Sequence, residues 1–361
     1  MKRVFICLIV LIGFKCMVLG QFNPSISDYY LTNPALMNPA YSGIGDLYKY
    51  SLNFHNKIHN NGFSVPINNQ VLNLNANLGR SPGLGPGHTV PTKWGSYGFG
   101  ATLYNFKLGP LKTTGFQFTF AYHIPLLFPG IPLLSNSFLS FGLSAGGYQC
   151  GLNVNDLVFY EKNDPVINSN LLNYFVPDAN FGLLLKSDYF FVGFSFLNMM
   201  EVIAPIDQAG KNSMFDYWKY NFSGGLNIYI EKPKLTIQPS IAFKTEKSPI
   251  LKQTLVSGEL EYLEYYERRT DLNIKVSYRE MVFIGGSYMI YSGLQGSSSF
   301  SAYVGYNDIK ISQENDGGFN LAYVFNYNLS NYGALTSGTH EIMLGYNIQN
   351  IKWNRAKLRK Q

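Results

Sequence analysis

"GFQFTFAYH", residues 115–123, sorts itself by alternation: Phe116, Phe118, Phe120 and Tyr122 take one set of positions, and Gln117, Thr119, Ala121 and His123 the other. Period-two alternation puts the two sets on opposite faces of a strand, whereas a helix would scatter them around its surface. The pattern recurs. In LNLNANLG, Leu72, Leu74, Ala76 and Leu78 oppose Asn73, Asn75 and Asn77. In WKYNFSGGLNIYI, Trp218, Tyr220, Phe222, Leu226 and Ile228 oppose Lys219, Asn221, Ser223 and Asn227. In DLNIKVSYRE, Leu272, Ile274, Val276 and Tyr278 oppose Asn273, Lys275, Ser277 and Arg279. Each stretch is about ten residues, the length a tilted strand needs to cross a bilayer.

Composition says which solvent the apolar faces meet. Charged residues are 14% of the chain, well below the ~25% of ordinary soluble domains, while aromatics reach 16% with 27 Tyr and 27 Phe. Mean hydropathy is nevertheless −0.04. No stretch after the first twenty residues is apolar for twenty positions, which excludes a helical membrane protein. A transmembrane antiparallel β-barrel reconciles these facts, because it needs apolar residues only at alternate positions, with aromatic girdles at both interfaces. Closure also pairs every backbone polar group without exposing an edge to lipid.

Fourteen strands are predicted, near 47–57, 69–80, 94–105, 114–124, 138–149, 177–186, 188–198, 218–230, 234–244, 271–279, 281–290, 299–311, 317–328 and 339–349. The number is even, as in bacterial single-chain barrels. Tight links at Lys186-Ser187-Asp188, Glu231-Lys232-Pro233 and Arg279-Glu280 alternate with long ones at 199–217, 245–270 and 291–298. That alternation fits short periplasmic turns and longer outer loops, with both termini periplasmic. The early links SPGLGPGHTVP and IPLLFPGIPLL are long for periplasmic turns. ELEYLEYYERR (259–269) fits one or two helical turns in an outer loop. Its Glu259, Glu261, Glu264 and Glu267 read as a solvated face, with a partner contact as the alternative.

The ends differ from the body. Residues 1–20 read as a secretion signal: Lys2 and Arg3, an apolar run Val4–Phe14, small residues before a cleavage point, and a mature start at Gln21. Cys16 follows Lys15 rather than the small residue that lipid attachment requires. Residues 351–361, IKWNRAKLRKQ, carry five cations and no anion. The formal +6 therefore lies in the ends, and residues 21–350 carry a net −2. A nucleic-acid binder would hold its positive charge in the fold, so nucleic acid is not expected as a partner. Cys150 stands alone in the mature chain, which rules out an intrachain disulfide or a cysteine metal cluster.

A search for chemistry assembles nothing. His340-Glu341 is an acid–base pair in sequence, but strand neighbours point to opposite faces and cannot share a substrate. His55 and His59 could share a metal only on a helix, and Asn60, Asn61 and Gly62 favour a turn there. No nucleophile elbow, zinc-protease, phosphate-loop or paired-cysteine motif is present. Gly-rich GLSAGGY (142–148) reads as strand glycines that permit bends or close packing. No catalytic residue, metal or cofactor is expected.

Ahead of the first strand stands TNPALMNPAYSG (32–43), with Asn-Pro-Ala twice. Proline fixes φ, removes a donor and holds its predecessor extended; Asn before Pro initiates turns. Residues 21–46 therefore form a rigid, turning segment outside the ladder. Tyr29, Tyr30, Leu31, Leu36, Met37 and Tyr41 anchor it either in the barrel mouth or against a periplasmic partner, with a loose leader as the alternative.

Asn33-Pro34 and Asn38-Pro39-Ala40-Tyr41-Ser42-Gly43 resemble the opening of the PorP/SprF family of Bacteroidetes outer-membrane proteins. Pro177-Asp178-Ala179-Asn180-Phe181-Gly182 in the middle and Gly338-Thr339-His340-Glu341-Ile342-Met343-Leu344-Gly345-Tyr346 at the end extend the resemblance over the mature chain. It implies a barrel fold and a role with the type IX secretion and gliding machinery. One branch of that family belongs to the apparatus; another is encoded beside large surface adhesins and helps export or retain them. For the motif residues (Asn33, Pro34, Asn38, Pro39, Ala40, Tyr41, Gly43, Pro177, Asp178, Gly182, His340, Glu341) it implies a structural or docking role. The chain departs from the family in its longer basic tail, which meets anionic periplasmic partners or lipid headgroups, or is simply a loose end.

The resulting expectation has four parts: a signal at 1–20, a plug-like segment at 21–46, an outer-membrane barrel at 47–350 and a basic tail at 351–361. The barrel is expected to be a non-catalytic component that assists secretion or surface retention of an adhesin or other type IX substrate. It would meet that substrate, periplasmic or outer-membrane secretion components, and the lipid bilayer. The alternative is a transport barrel for small polar or hydrophobic compounds.

Overall fold

The computed structural model describes residues 31–44, 50–61, 67–78, 95–126, 137–152, 173–200, 219–253, 260–292, 298–309, 317–329 and 336–348. The signal, residues 21–30, the basic tail, the SPGLGPGHTVP link and most of the IPLLFPGIPLL link lie outside the described residues. The strands are β1 (Tyr50–Asn61), β2 (Ile67–Leu78), β3 (Ser96–Leu108), β4 (Leu111–Leu126), β5 (Ser137–Leu152), β6 (Asn173–Lys186), β7 (Phe190–Leu197) and β8 (Lys219–Leu226). They continue as β9 (Ile228–Ile230), β10 (Leu235–Gln253), β11 (Leu260–Tyr278), β12 (Val282–Ser292), β13 (Ser298–Ile309), β14 (Gly317–Asn328) and β15 (Thr336–Ile348). Sequential strands pair antiparallel, and β15 returns to β1 with Tyr50 opposite Ile348, so the sheet closes. β8 and β9 both pair with β10 and make one barrel strand interrupted at Asn227. The molecule is thus a closed antiparallel barrel of fourteen strands.

The barrel is inside out relative to a soluble protein. Phe116, Phe118 and Phe120 of the opening stretch are exposed on the outer wall, as are Leu72, Leu74, Leu272, Ile274, Ile342 and Leu344. Buried against them on the lumen side are Asn73, Asn77, His123, Ser144, Asn180, Asn221, Asp271, Ser287, Ser301 and Asn347. Lipid solvates the first set; the second must find partners within the barrel, because a buried polar group without one costs roughly 1–3 kcal/mol.

Three expectations need correction. Residues 245–253 and 260–270 are strand rather than outer loop: β10 runs on to Gln253 and β11 starts at Leu260, paired residue for residue from Leu235↔Tyr278 to Gln253↔Leu260. ELEYLEYYERR is accordingly strand from Leu260 onward, not helical. Its three tyrosines suit a pleated surface, and pairing with the Ile250-Leu251 stretch outweighs a short helical pattern. β1 continues as a strand through Asn61, so Asn60 and Asn61, expected in a turn, belong to the strand that carries His55 and His59. The strand expected at 218–230 breaks at Asn227, whose N–H bonds the Tyr189 carbonyl (2.7 Å) and whose Nδ2 donates to the Asp188 carbonyl (3.0 Å). The break ties this strand to the β6–β7 turn.

Candidate functional site: the segment inside the barrel

Each Asn-Pro-Ala element folds as a single 3-10 turn, Pro34–Leu36 and Pro39–Tyr41, with proline at the first position. Proline suits that position because its missing N–H would have no intrahelical partner there. Asn33 and Asn38 precede the two turns in extended conformation, as residues before proline prefer. The Asn38 side chain also caps its turn, Oδ1 accepting from the Ala40 N–H at 2.9 Å. Such turns satisfy few of their own carbonyls, so their stability must come from what surrounds them.

What surrounds them is the lumen wall. Asn38 Nδ2 donates to the carbonyls of Leu183 on β6 (3.0 Å) and Phe194 on β7 (3.1 Å). The Met37 carbonyl accepts from Ser195 Oγ (2.7 Å) and Asn221 Nδ2 (3.3 Å). Asn33 Nδ2 donates to Asn73 Oδ1 (2.9 Å), and Asn77 Nδ2 to the Gly43 carbonyl (2.6 Å). His123 Nε2 lies 3.1 Å from the Ser42 carbonyl, which can only accept, so Nε2 carries a proton; Nδ1 shares a 2.6 Å hydrogen bond with Ser140 Oγ. Apolar contacts complete the grip. Ala40, Tyr41 and Leu184 form one cluster, with Phe191 edge-on to Tyr41. Leu36 joins Val71, Tyr104 and Tyr148, and Leu31 packs on Phe283, Tyr303 and Met343.

The wall is recessed where the segment passes. A Cβ at Gly142 would fall on the backbone of Pro39 and Ala40, one at Gly182 on Asn38 Oδ1, and one at Gly98 on the Ser42 carbonyl. Glycine is required there by close approach. Gly43 itself has φ +75°, a left-handed turn that lets the chain leave the wall at Gly98. A cavity of about 20 Å³ is left between Ala35, Leu36, Pro39 and the wall residues Thr102, Gln117 and Asn180, room for about one water. A larger concavity of about 710 Å³ lies at Val192, Gly224, Leu226, Leu272 and Ile274, exposed apolar wall positions around a strand glycine.

The motif residues divide clearly. Asn33, Pro34, Asn38, Pro39, Ala40, Tyr41 and Gly43 lie together inside the barrel, with Gly182 against them. Asp178 faces inward, 2.9 Å from Gln117 Nε2, while Pro177 is exposed on the outer wall. His340 and Glu341 part as strand neighbours do. His340 Nδ1 meets Tyr323 Oη at 2.6 Å on the outer wall. Glu341 is buried, accepts from Thr32 Oγ1 (3.1 Å) and lies 3.3 Å from His55 Nδ1. The Thr32–His55–Glu341 group escapes sequence reading because it depends on the β1–β15 register, not on spacing. Among the described residues no group of three potential metal ligands is found.

The Asn38 side chain makes three hydrogen bonds, two of them to the wall. Asn38→Ala removes two hydrogen bonds to the wall and the cap on Ala40, about 1–3 kcal/mol of docking energy from the two wall bonds at ordinary values. Asn38→Asp should do worse, because an acceptor would face two carbonyls. In a Ser42→Cys background, maleimide labelling should rise at least tenfold for Asn38→Ala and further for Asn38→Asp. Equal, parental rates in both would show that Asn38 does not hold the segment.

Comparison with known proteins follows the same lines. Solved outer-membrane barrels resemble the chain at low identity. The translocator domain of the autotransporter NalP from Neisseria meningitidis is 10% identical, over 90% of this chain and 92% of that one, with TM-score 0.37. The outer membrane protein Omp33 of Acinetobacter baumannii is 8% identical, over 85% and 100%, with TM-score 0.37. A deletion mutant of TodX, a monoaromatic hydrocarbon channel, is 10% identical, over 89% and 94%, with TM-score 0.45. None of the curated proteins compared matches the chain. A family model does, over residues 18–346, a span that takes in all three motifs and nearly every strand. The chain therefore belongs to the PorP/SprF family of type IX secretion system membrane proteins, and is an outer-membrane β-barrel of that system.

Proposed function

We propose that this barrel is a non-catalytic outer-membrane component that assists export or surface retention of a large adhesin or other type IX substrate. Residues 21–46 serve as its plug, both termini face the periplasm, and the basic tail meets anionic periplasmic components. The observation that supports this best is the occupied lumen. Residues 32–43 bond to β2, β4, β6, β7, β8 and β15, across the path a diffusing solute would take. A wall recessed by glycine at three contacts suits a permanent occupant better than a transient one. In this reading the motif residues that lie inside the barrel hold the plug, and substrate contacts fall to the rim.

The test is a surface and secreted proteome of a deletion strain against its parent. Loss of one or a few large adhesins is the expected result for a dedicated helper, and loss of the whole secreted set for a core component. An unchanged surface, with uptake of small compounds impaired, would overturn the proposal in favour of a transport barrel.

A further inference from the structure

β10 and β11 outgrow the barrel. β10 last pairs with β8 at Glu246↔Lys219, and β11 last pairs with β12 at Arg268↔Ser292. Beyond those rungs the two strands pair only with each other, from Lys247↔Tyr266 to Gln253↔Leu260. Seven such rungs at roughly 3.3 Å each make a ribbon about 23 Å long. It stands at the end of the barrel opposite Tyr50 and Ile348. Among the described residues no strand covers either outer edge of the ribbon.

An uncovered edge presents a row of backbone donors and acceptors that another strand can join, and proteins protect such edges with proline and lysine. The two edges differ in that respect. β10 carries Lys247, Pro249 and Lys252 over its projecting stretch. Proline cannot donate to a ladder, and proline with lysines is the composition of a protected edge. β11 carries Leu260, Glu261, Tyr262, Leu263, Glu264, Tyr265, Tyr266 and Glu267, with no proline, no glycine and no cation. Aromatic and branched residues favour pairing, and three glutamates in one strand favour a cationic partner. The ribbon thus has a guarded edge and an open one.

We propose that the open edge of β11 over Leu260–Glu267 is the docking surface for an extended, cation-bearing segment of the exported polypeptide, which adds to the ribbon as a further strand. Backbone bonds supply the affinity and the glutamates select the charge, as in strand addition generally. The inference rests on the secretion reading and names the surface that reading lacks.

The test uses a photo-cross-linking amino acid in the full-length protein in cells, at Leu263 on β11 or at its register partner Ile250 on β10. The expected result is an adduct from position 263 to a lysine- or arginine-bearing segment of an exported protein, and at least tenfold less from 250. Glu261→Lys, Glu264→Lys and Glu267→Lys together should reduce the 263 adduct at least tenfold in a barrel that still migrates as folded. An adduct to a second copy of the chain, equal adducts at both edges, no adduct, or one indifferent to the three substitutions would each overturn the inference. The surface proteome of the triple variant separates this from the broader proposal. If it matches the parent while the deletion strain does not, the edge fails and the secretion role stands.

Discussion

Gly142→Val should unseat the segment inside the barrel and let the barrel conduct ions. The Cβ of any residue at 142 would coincide with the backbone of Pro39 and Ala40, and no rotamer change can relieve a clash with main chain. Overpacking a well-fitted contact costs about 1–3 kcal/mol when side chains can adjust, and more when they cannot. The wall strand is held by hydrogen-bonded neighbours on both sides, β4 and β6. The segment is held mainly by side chains. The segment should therefore move first. In planar bilayers the parent is expected to stay closed, and Gly142→Val to pass a stable current. Maleimide labelling of a cysteine at position 42 should rise toward the rate of an exposed thiol. Gly224→Ala is the matched control: a Cβ there meets only the Phe191 carbonyl, at 3.6 Å, and should change neither readout. A parental current and labelling rate in Gly142→Val would mean that residues 31–44 do not close the lumen.

The second large effect concerns stability. Asp271 is fully buried on β11 and accepts from Arg269 Nε at 2.7 Å and Nη2 at 2.8 Å, with Lys244 Nζ at 3.9 Å. One carboxylate thus holds two cations on the lumen side of the wall. Asp271→Ala leaves both without it in a poorly solvated site, a change that costs about 3–5 kcal/mol. Exchanging the whole group, Lys244→Met with Arg269→Met and Asp271→Leu, should recover most of the loss, because the desolvation penalty goes with the charges. The measurement is the temperature at which the folded band converts to the unfolded one on semi-native gels. It should fall clearly for Asp271→Ala and return toward the parental value in the triple variant. A fall of the same size in both would show that packing, not charge, sets the effect.

The barrel was legible in the chain because its signal is local. Alternation in 115–123 needs no knowledge of neighbours, and lipid outside with polar lumen inside makes each strand carry the same code. The strand number could be read for the same reason. Where the local signal is ambiguous, sequence and structure part. ELEYLEYYERR satisfies a helical turn by itself, and only its pairing with β10 makes it strand. Asn227 alternates correctly, yet its hydrogen bonds to the β6–β7 turn take it out of the ladder.

The same division holds inside. Proline chemistry alone determined that 32–43 would turn rather than join the sheet, because φ and the missing donor are properties of single residues. The choice between the barrel mouth and a periplasmic partner belonged to the tertiary structure. So did the pairing of His55 with Glu341, 286 residues apart, and the glycines that meet the segment's backbone. Those contacts depend on closure: register around fourteen strands decides which inward positions meet at the centre, and no spacing along the chain encodes that distance.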